Sequence, residues 1–192
     1  MPRGKGRSPL DLRSATVRIA PAERSGRLRP AIAVATAVLV MLALARFGPG
    51  GRALGAGFLL CVVAALAVVD LEQRRIPNRI VLPAIAIVLA AQIALDPRGT
   101  PQLLAISLAS GLFFCLPLLV SPSGVGMGDV KLAVLLGAAL GQAVVLAIAV
   151  AVATAFLVAV ALLVRDGATA RKSAIAFGPF LAVGAAVAIF LG

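Results

Sequence analysis

The 192-residue sequence contains no histidine, tryptophan or tyrosine, only two cysteines, and seven acidic residues against 18 lysines and arginines. Cys61 and Cys115 each stand alone in an apolar run, outside any Cys-x-x-Cys spacing. Without histidine or a cysteine cluster there is no ligand set for zinc, and the two thiols read as small core hydrophobes. No serine lies in a nucleophile-elbow or Ser-Lys setting, so serine chemistry has no candidate nucleophile. The net charge of +11 does not by itself indicate nucleic acid as a partner. The basic segment lacks aromatics to stack on bases, and the chain has no recognisable reader fold.

What is present is apolar: 61% of the residues are hydrophobic and 13% charged, far from the balance of a water-soluble domain. The pattern is that of an all-α, polytopic transmembrane helix bundle, with apolar segments at residues 31–45, 53–69, 80–95, 103–120, 132–164 and 174–191. A crossing takes roughly 20 residues, with a range of about 17–25. The 33-residue segment 132–164 is too long for one crossing and barely enough for two. Its single polar residue, Gln142, follows Gly141 and marks a turn. A crossing that ends there must begin near Val125, which sets Asp129 about one turn inside the membrane, within a water-accessible cavity.

Eight of the basic residues fall within residues 1–30, together with four prolines. This segment is expected to be a disordered, basic cytoplasmic tail held against anionic lipid. Residues 31–52 then form an additional, uncleaved N-terminal anchor and loop, and residues 53–192 the main membrane-embedded domain. With seven crossings and a cytoplasmic N-terminus, 15 of the 18 basic residues face the cytoplasm and only Arg46, Arg52 and Arg98 face outward. A six-crossing alternative sends Arg165, Arg171 and Lys172 outside, against that rule. The chain is placed in the cytoplasmic membrane, and no oligomeric state is read from it.

Two carboxylates sit at membrane-segment ends on the same side: Asp70, closing the run 53–69, and Asp129, in Gly126-Met127-Gly128-Asp129-Val130-Lys131-Leu132. Ionisable residues at such depth are costly and mark function by default. Asp70 also has a plain reading as the first solvated loop residue, and Asp129 one as a helix N-cap. A helix C-terminus disfavours an anion and an N-terminus favours one, so Asp129 is expected to carry the charge and Asp70 the proton, within a coupled pair. Gly126 and Gly128 offer positive φ and close approach of another chain, and Pro77 is expected to stop the Asp70 helix. Asp96 and Asp166, before Pro97 and Gly167, are turn residues. Two carboxylates are able to hold Mg²⁺ beside a phosphate, but no second acidic cluster supports this. No metal or cofactor is expected.

The segment Asp70-Leu71-Glu72-Gln73-Arg74-Arg75-Ile76-Pro77-Asn78, the Gly126–Leu132 stretch and Ile175-Ala176-Phe177-Gly178-Pro179-Phe180 together resemble the type IV prepilin leader peptidases. These are intramembrane aspartic proteases of the Gly-x-Gly-Asp type. The resemblance covers roughly residue 53 to the C-terminus. It implies an endopeptidase that removes the short basic leader from pilin-like precursors at the cytoplasmic membrane face, with Asp70 and Asp129 as its two catalytic aspartates. Gly126, Gly128, Lys131, Ile76, Pro77, Asn78, Gly178 and Pro179 then form the scaffold or the substrate approach. The sequence shows no N-terminal domain with paired Cys-x-x-Cys motifs, the feature that accompanies N-methylation in the larger branch. It therefore resembles the short form, and leader cleavage without methylation is the expected activity. Pilin-like precursors and membrane lipids are the expected partners. Two other classes compete: a transporter using the acids as a proton relay, although no internal repeat is found, and an inactive scaffold of a pilus or secretion assembly.

Overall fold

The computed structural model describes residues 10–120, 126–166 and 176–192. Every regular element among them is helical: α1 (Leu10–Phe47), α2 (Gly51–Gln73), α3 (Asn78–Leu95), α4 (Thr100–Val120), α5 (Met127–Leu140), α6 (Val144–Asp166) and α7 (Gly178–Leu191). A single turn of 3₁₀-helix, Gly141–Ala143, separates α5 from α6. Gly141 there has φ +56°, a conformation that glycine adopts without strain, so the break expected near Gln142 is present.

Four apolar stretches are long enough to cross a bilayer: Arg29–Phe47, Gly51–Gln73, Asn78–Leu95 and Met127–Arg165. Thr100–Leu116 and Gly178–Leu191 are apolar but shorter. Large apolar side chains such as Val34, Met41, Val145, Phe156, Leu157 and Val164 point outward. Outward apolar faces on several helices are what a hydrocarbon solvent selects, and the chain is an integral membrane protein.

The helices end where local chemistry stops them. Gly48 at φ +70° and Pro49 separate α1 from α2. In the α3–α4 turn, Asp96 accepts a hydrogen bond from the Gly99 amide (3.0 Å), so Asp96 is the turn residue its sequence position suggests. The Asp166 side chain lies outside the described residues.

α1 starts at Leu10, ahead of the first apolar run. Residues 1–9 lie outside the described set. Two expectations are corrected here. α2 does not stop at Asp70 but runs to Gln73, and Arg74, at φ 51°, caps it by donating its amide to the Asp70 carbonyl. Nor does Pro77 stop α2; it is the extended N-cap of α3.

The short α5 sits at the centre. Leu132, Ala133, Leu135, Leu136, Gly137 and Ala138 are all buried, so apolar residues surround it on nearly every side, the mark of an interior helix. It packs against α4, α3 and α7. Against α4 the approach is close because Gly137 faces Ser107 and Ser110, and Gly111 faces Val134. The hydroxyls of Ser107 and Ser110 donate to the carbonyls of Val134 and Ala133, each at 2.8 Å. In a bilayer such bonds contribute about 0.6 kcal/mol each on average, so the small residues matter mainly by allowing contact. Gly184 of α7 meets the Ala147 carbonyl of α6 in the same manner.

Candidate active site

Asp70 lies in the last turn of α2 and is only 6% exposed. It is therefore not the first solvated residue of a loop. Its Oδ2 accepts a hydrogen bond from the Gly178 amide (2.8 Å), the first residue of α7. The donors in that first turn can be followed one by one. Pro179 has no N–H, and the amides of Phe180 and Leu181 both reach the Phe177 carbonyl (3.1 and 3.2 Å). The Gly178 amide is the one left pointing outward, and Asp70 takes it. A Cβ at position 178 would lie 2.8 Å from Oδ2, so only glycine allows this contact.

Asp129 is the third residue of α5 and is half-buried. Its Oδ2 accepts from the Gly126 amide (3.3 Å), while its own amide donates to the Gly126 carbonyl (3.0 Å). The plain reading of Asp129 as a capping residue is thus partly met, from the third helical position rather than the N-cap. Asp70 and Asp129 act on each other electrostatically across the gap between α2 and α5. Among the described residues no further hydrogen bond reaches either carboxylate, which leaves one oxygen of each open.

Both carboxylates consequently face helix N-termini, Asp129 that of α5 and Asp70 that of α7. The expected division set Asp70 at the C-terminus of α2 against Asp129 at the N-terminus of α5; with Asp70 also facing the start of α7, helix ends no longer separate the two.

The other expected residues converge on the same place. Gly128 is pressed against Ile76; a Cβ there would lie 2.7 Å from the Ile76 Cβ. Lys131 Nζ donates to Asn78 Oδ1 (2.7 Å), joining α5 to the first residue of α3. Among the described residues, positive φ at glycine occurs only at Gly48 and Gly141. The expectation that Gly126 and Gly128 supply positive φ is therefore corrected, and the reason for glycine at 128 is the closeness of Ile76. Gly126 is extended, at φ −81°. Ile175, in the third matching segment, lies outside the described residues.

Several contacts carried no sequence signal. Phe177 packs at a tilt between Phe114 of α4 and Phe180, with centroids 5.6 and 6.1 Å apart, and so seats the start of α7. Arg29 of α1 forms a two-pronged ion pair with Glu72 (2.6 and 2.7 Å). Among the described residues no three histidine, cysteine or acidic side chains gather where a metal ion could be held.

With this geometry in hand, comparison with known proteins is specific. Residues 57–164 match the Type IV leader peptidase family, and the chain belongs to that family. A prepilin leader peptidase/N-methyltransferase of Burkholderia pseudomallei (strain 1026b) is 36% identical over 176 residues, covering 87% of this chain and 56% of the relative. Proteins of the same description from Xanthomonas campestris pv. campestris and Bacillus subtilis (strain 168) are each 29% identical, over 168 and 164 residues. Each covers 85% of this chain, which spans 58% and 66% of those relatives. The chain thus spans little more than half the length of the first relatives it matches. No solved structure gives a significant match.

Proposed function

We propose that this chain is an intramembrane aspartic endopeptidase that removes the short basic leader of type IV pilin-like precursors at the cytoplasmic face of the cytoplasmic membrane. The observation that carries the reading is the meeting of Asp70 and Asp129. They are 59 positions apart in the chain, yet they share one end of the bundle, where Ile76, just beyond Asp70, lies against Gly128, the neighbour of Asp129. Family membership and the relatives' names support the same reaction.

An aspartic pair hydrolyses a peptide by holding one proton between its members. The ionised carboxylate draws a proton from water as the oxygen attacks the scissile carbonyl. The protonated partner donates to the carbonyl oxygen, and the proton gained from water then passes to the leaving amine. Each aspartate is oriented by one backbone amide and offers its other oxygen to water and substrate. Gly126, Gly128, Lys131, Ile76, Pro77, Asn78, Gly178 and Pro179 are the scaffold of this pair. The proposed activity is leader cleavage, without the methyl transfer in the relatives' names.

We further assign seven crossings with a cytoplasmic N-terminus, supported by the basic-residue asymmetry and the turn at Gly141. In this arrangement residues 31–52 are an anchor and loop beside a peptidase domain at 53–192. The test is co-expression with a pilin-like precursor and measurement of its processing. Asp70→Asn and Asp129→Asn should each accumulate in the membrane and leave the precursor uncut, because the amide oxygen of asparagine still accepts the backbone hydrogen bond. Near-normal cleavage by either variant removes the aspartic mechanism.

A further inference from the structure

The site has one more carboxylate close by. Glu72 lies two residues beyond Asp70 on the last turn of α2, in a stretch whose following charges are basic: Arg74, Arg75 and Arg79. Asp96, the other acidic side chain among those described, is in the α3–α4 turn at the far end of α3. Glu72 is occupied from within the chain. Arg29 donates Nε to Oε1 and Nη2 to Oε2, the parallel geometry in which a guanidinium grips a carboxylate. The Arg29 side chain is 64% exposed and that of Glu72 only 19%, so Arg29 is the more solvent-accessible member of the pair.

What Arg29 belongs to is informative. It stands where α1 changes from a basic segment, with Arg24 and Arg27, to an apolar one, and the apolar part runs antiparallel along α2. Beneath the ion pair, α1 and α2 leave a cleft of about 550 Å³ lined by Ile32, Thr36, Val40, Cys61, Ala64 and Val68. A basic residue at the head of an apolar helix is also the layout of the precursor that the peptidase reading assigns as substrate.

Resting on that reading, we infer that Glu72 is the subsite for a basic side chain of the substrate leader, and that Arg29 is a built-in competitor occupying it until substrate arrives. The exchange replaces one guanidinium or ammonium with another on the same carboxylate, so it costs little, and an exposed pair of this kind is readily opened.

The test uses the full chain in detergent and two precursors that differ only in the leader, one basic and one with glutamine at the basic positions. The readout is the ratio of kcat/KM for the two. Glu72→Gln should lower the basic preference about five-fold, through KM, and Arg29→Gln should raise it by a similar factor, about what an exposed ion pair supplies. Opposite signs are decisive, because a merely structural ion pair gives both variants the same loss. The same sign in both variants, or an unchanged ratio in Glu72→Gln, overturns the inference. If the wild-type chain cuts neither precursor, the peptidase reading fails. The subsite claim is then judged by binding of a fluorescent basic leader peptide at low salt. Weaker binding to Glu72→Gln and tighter binding to Arg29→Gln uphold it, and equal binding to all three overturns it.

Discussion

Gly178→Ala is the smallest change that addresses the geometry of the proposed pair. The added methyl carbon would sit 2.8 Å from Asp70 Oδ2, 3.1 Å from its Cβ and 3.2 Å from its Cγ. Ordinary contact begins near 3.4 Å, so the carboxylate and the start of α7 must separate by about 0.6 Å. That stretches the 2.8 Å hydrogen bond from the Gly178 amide to the limit of what counts as a bond. Losing a hydrogen bond to a charged group costs roughly 1.5–3 kcal/mol. Expressed wholly in the cleavage step, this lowers kcat by about 10- to 150-fold. The assay is single-turnover cleavage of a pilin-like precursor by purified protein, with melting temperature followed separately to register any loss of fold. Gly55→Ala, also in α2 but with open space around the site of its added methyl, is the control and should cleave normally. A Gly178→Ala enzyme with kcat within three-fold of wild type would show that Asp70 does not depend on α7.

Gly128→Val should block cleavage by driving Ile76 away, and Ile76→Gly in the same chain should recover part of the activity, since the closest clash is with the Ile76 Cβ that glycine lacks. Lys131→Met and Asn78→Ala should each lower kcat/KM by about three- to ten-fold, with the double variant no worse than either single, because both remove one hydrogen bond. Gly137→Ala should destabilise the α4–α5 contact by about 1–3 kcal/mol, read from unfolding in detergent mixtures, because its methyl meets Ser110 Oγ and the Ser107 backbone. Reporter fusions after Arg98 and Gly192 should report the outside and one after Lys172 the inside; an outside signal at Lys172 leaves six crossings.

The helices were legible because a bilayer demands long apolar runs, and a 33-residue run interrupted once at Gly141-Gln142 has few other solutions. The acids were legible because charge is costly at such depth. What the residues could not reveal is how the acids are held. The bond from Gly178 to Asp70 joins positions 108 apart in sequence, and no local pattern encodes it. Gly128 was legible as a glycine that matters; of the two reasons offered, positive φ is absent, and the close approach is that of Ile76 from the same chain. Glu72 drew no separate reading from the sequence, because its partner Arg29 lies 43 positions away on α1.

These long-range contacts explain why three separate stretches act as one unit. α2 and α5 carry the two acids, yet they are not among the principal packed pairs; α2 rests on α1, α7 and α3, and α5 on α4, α3 and α7. Direct packing of the helices therefore does not set the separation of Asp70 from Asp129. Third parties set it: α7, through the Gly178 amide, and the α2–α3 connection, through Ile76 on Gly128 and Asn78 on Lys131. Two acids held by intermediaries can change their spacing when an intermediary shifts, without any rearrangement of the helices that bear them. Under the proposed peptidase reading, a peptide that touched the α2–α3 connection would press on the element that fixes the pair, and so would couple its own positioning to that of the aspartates.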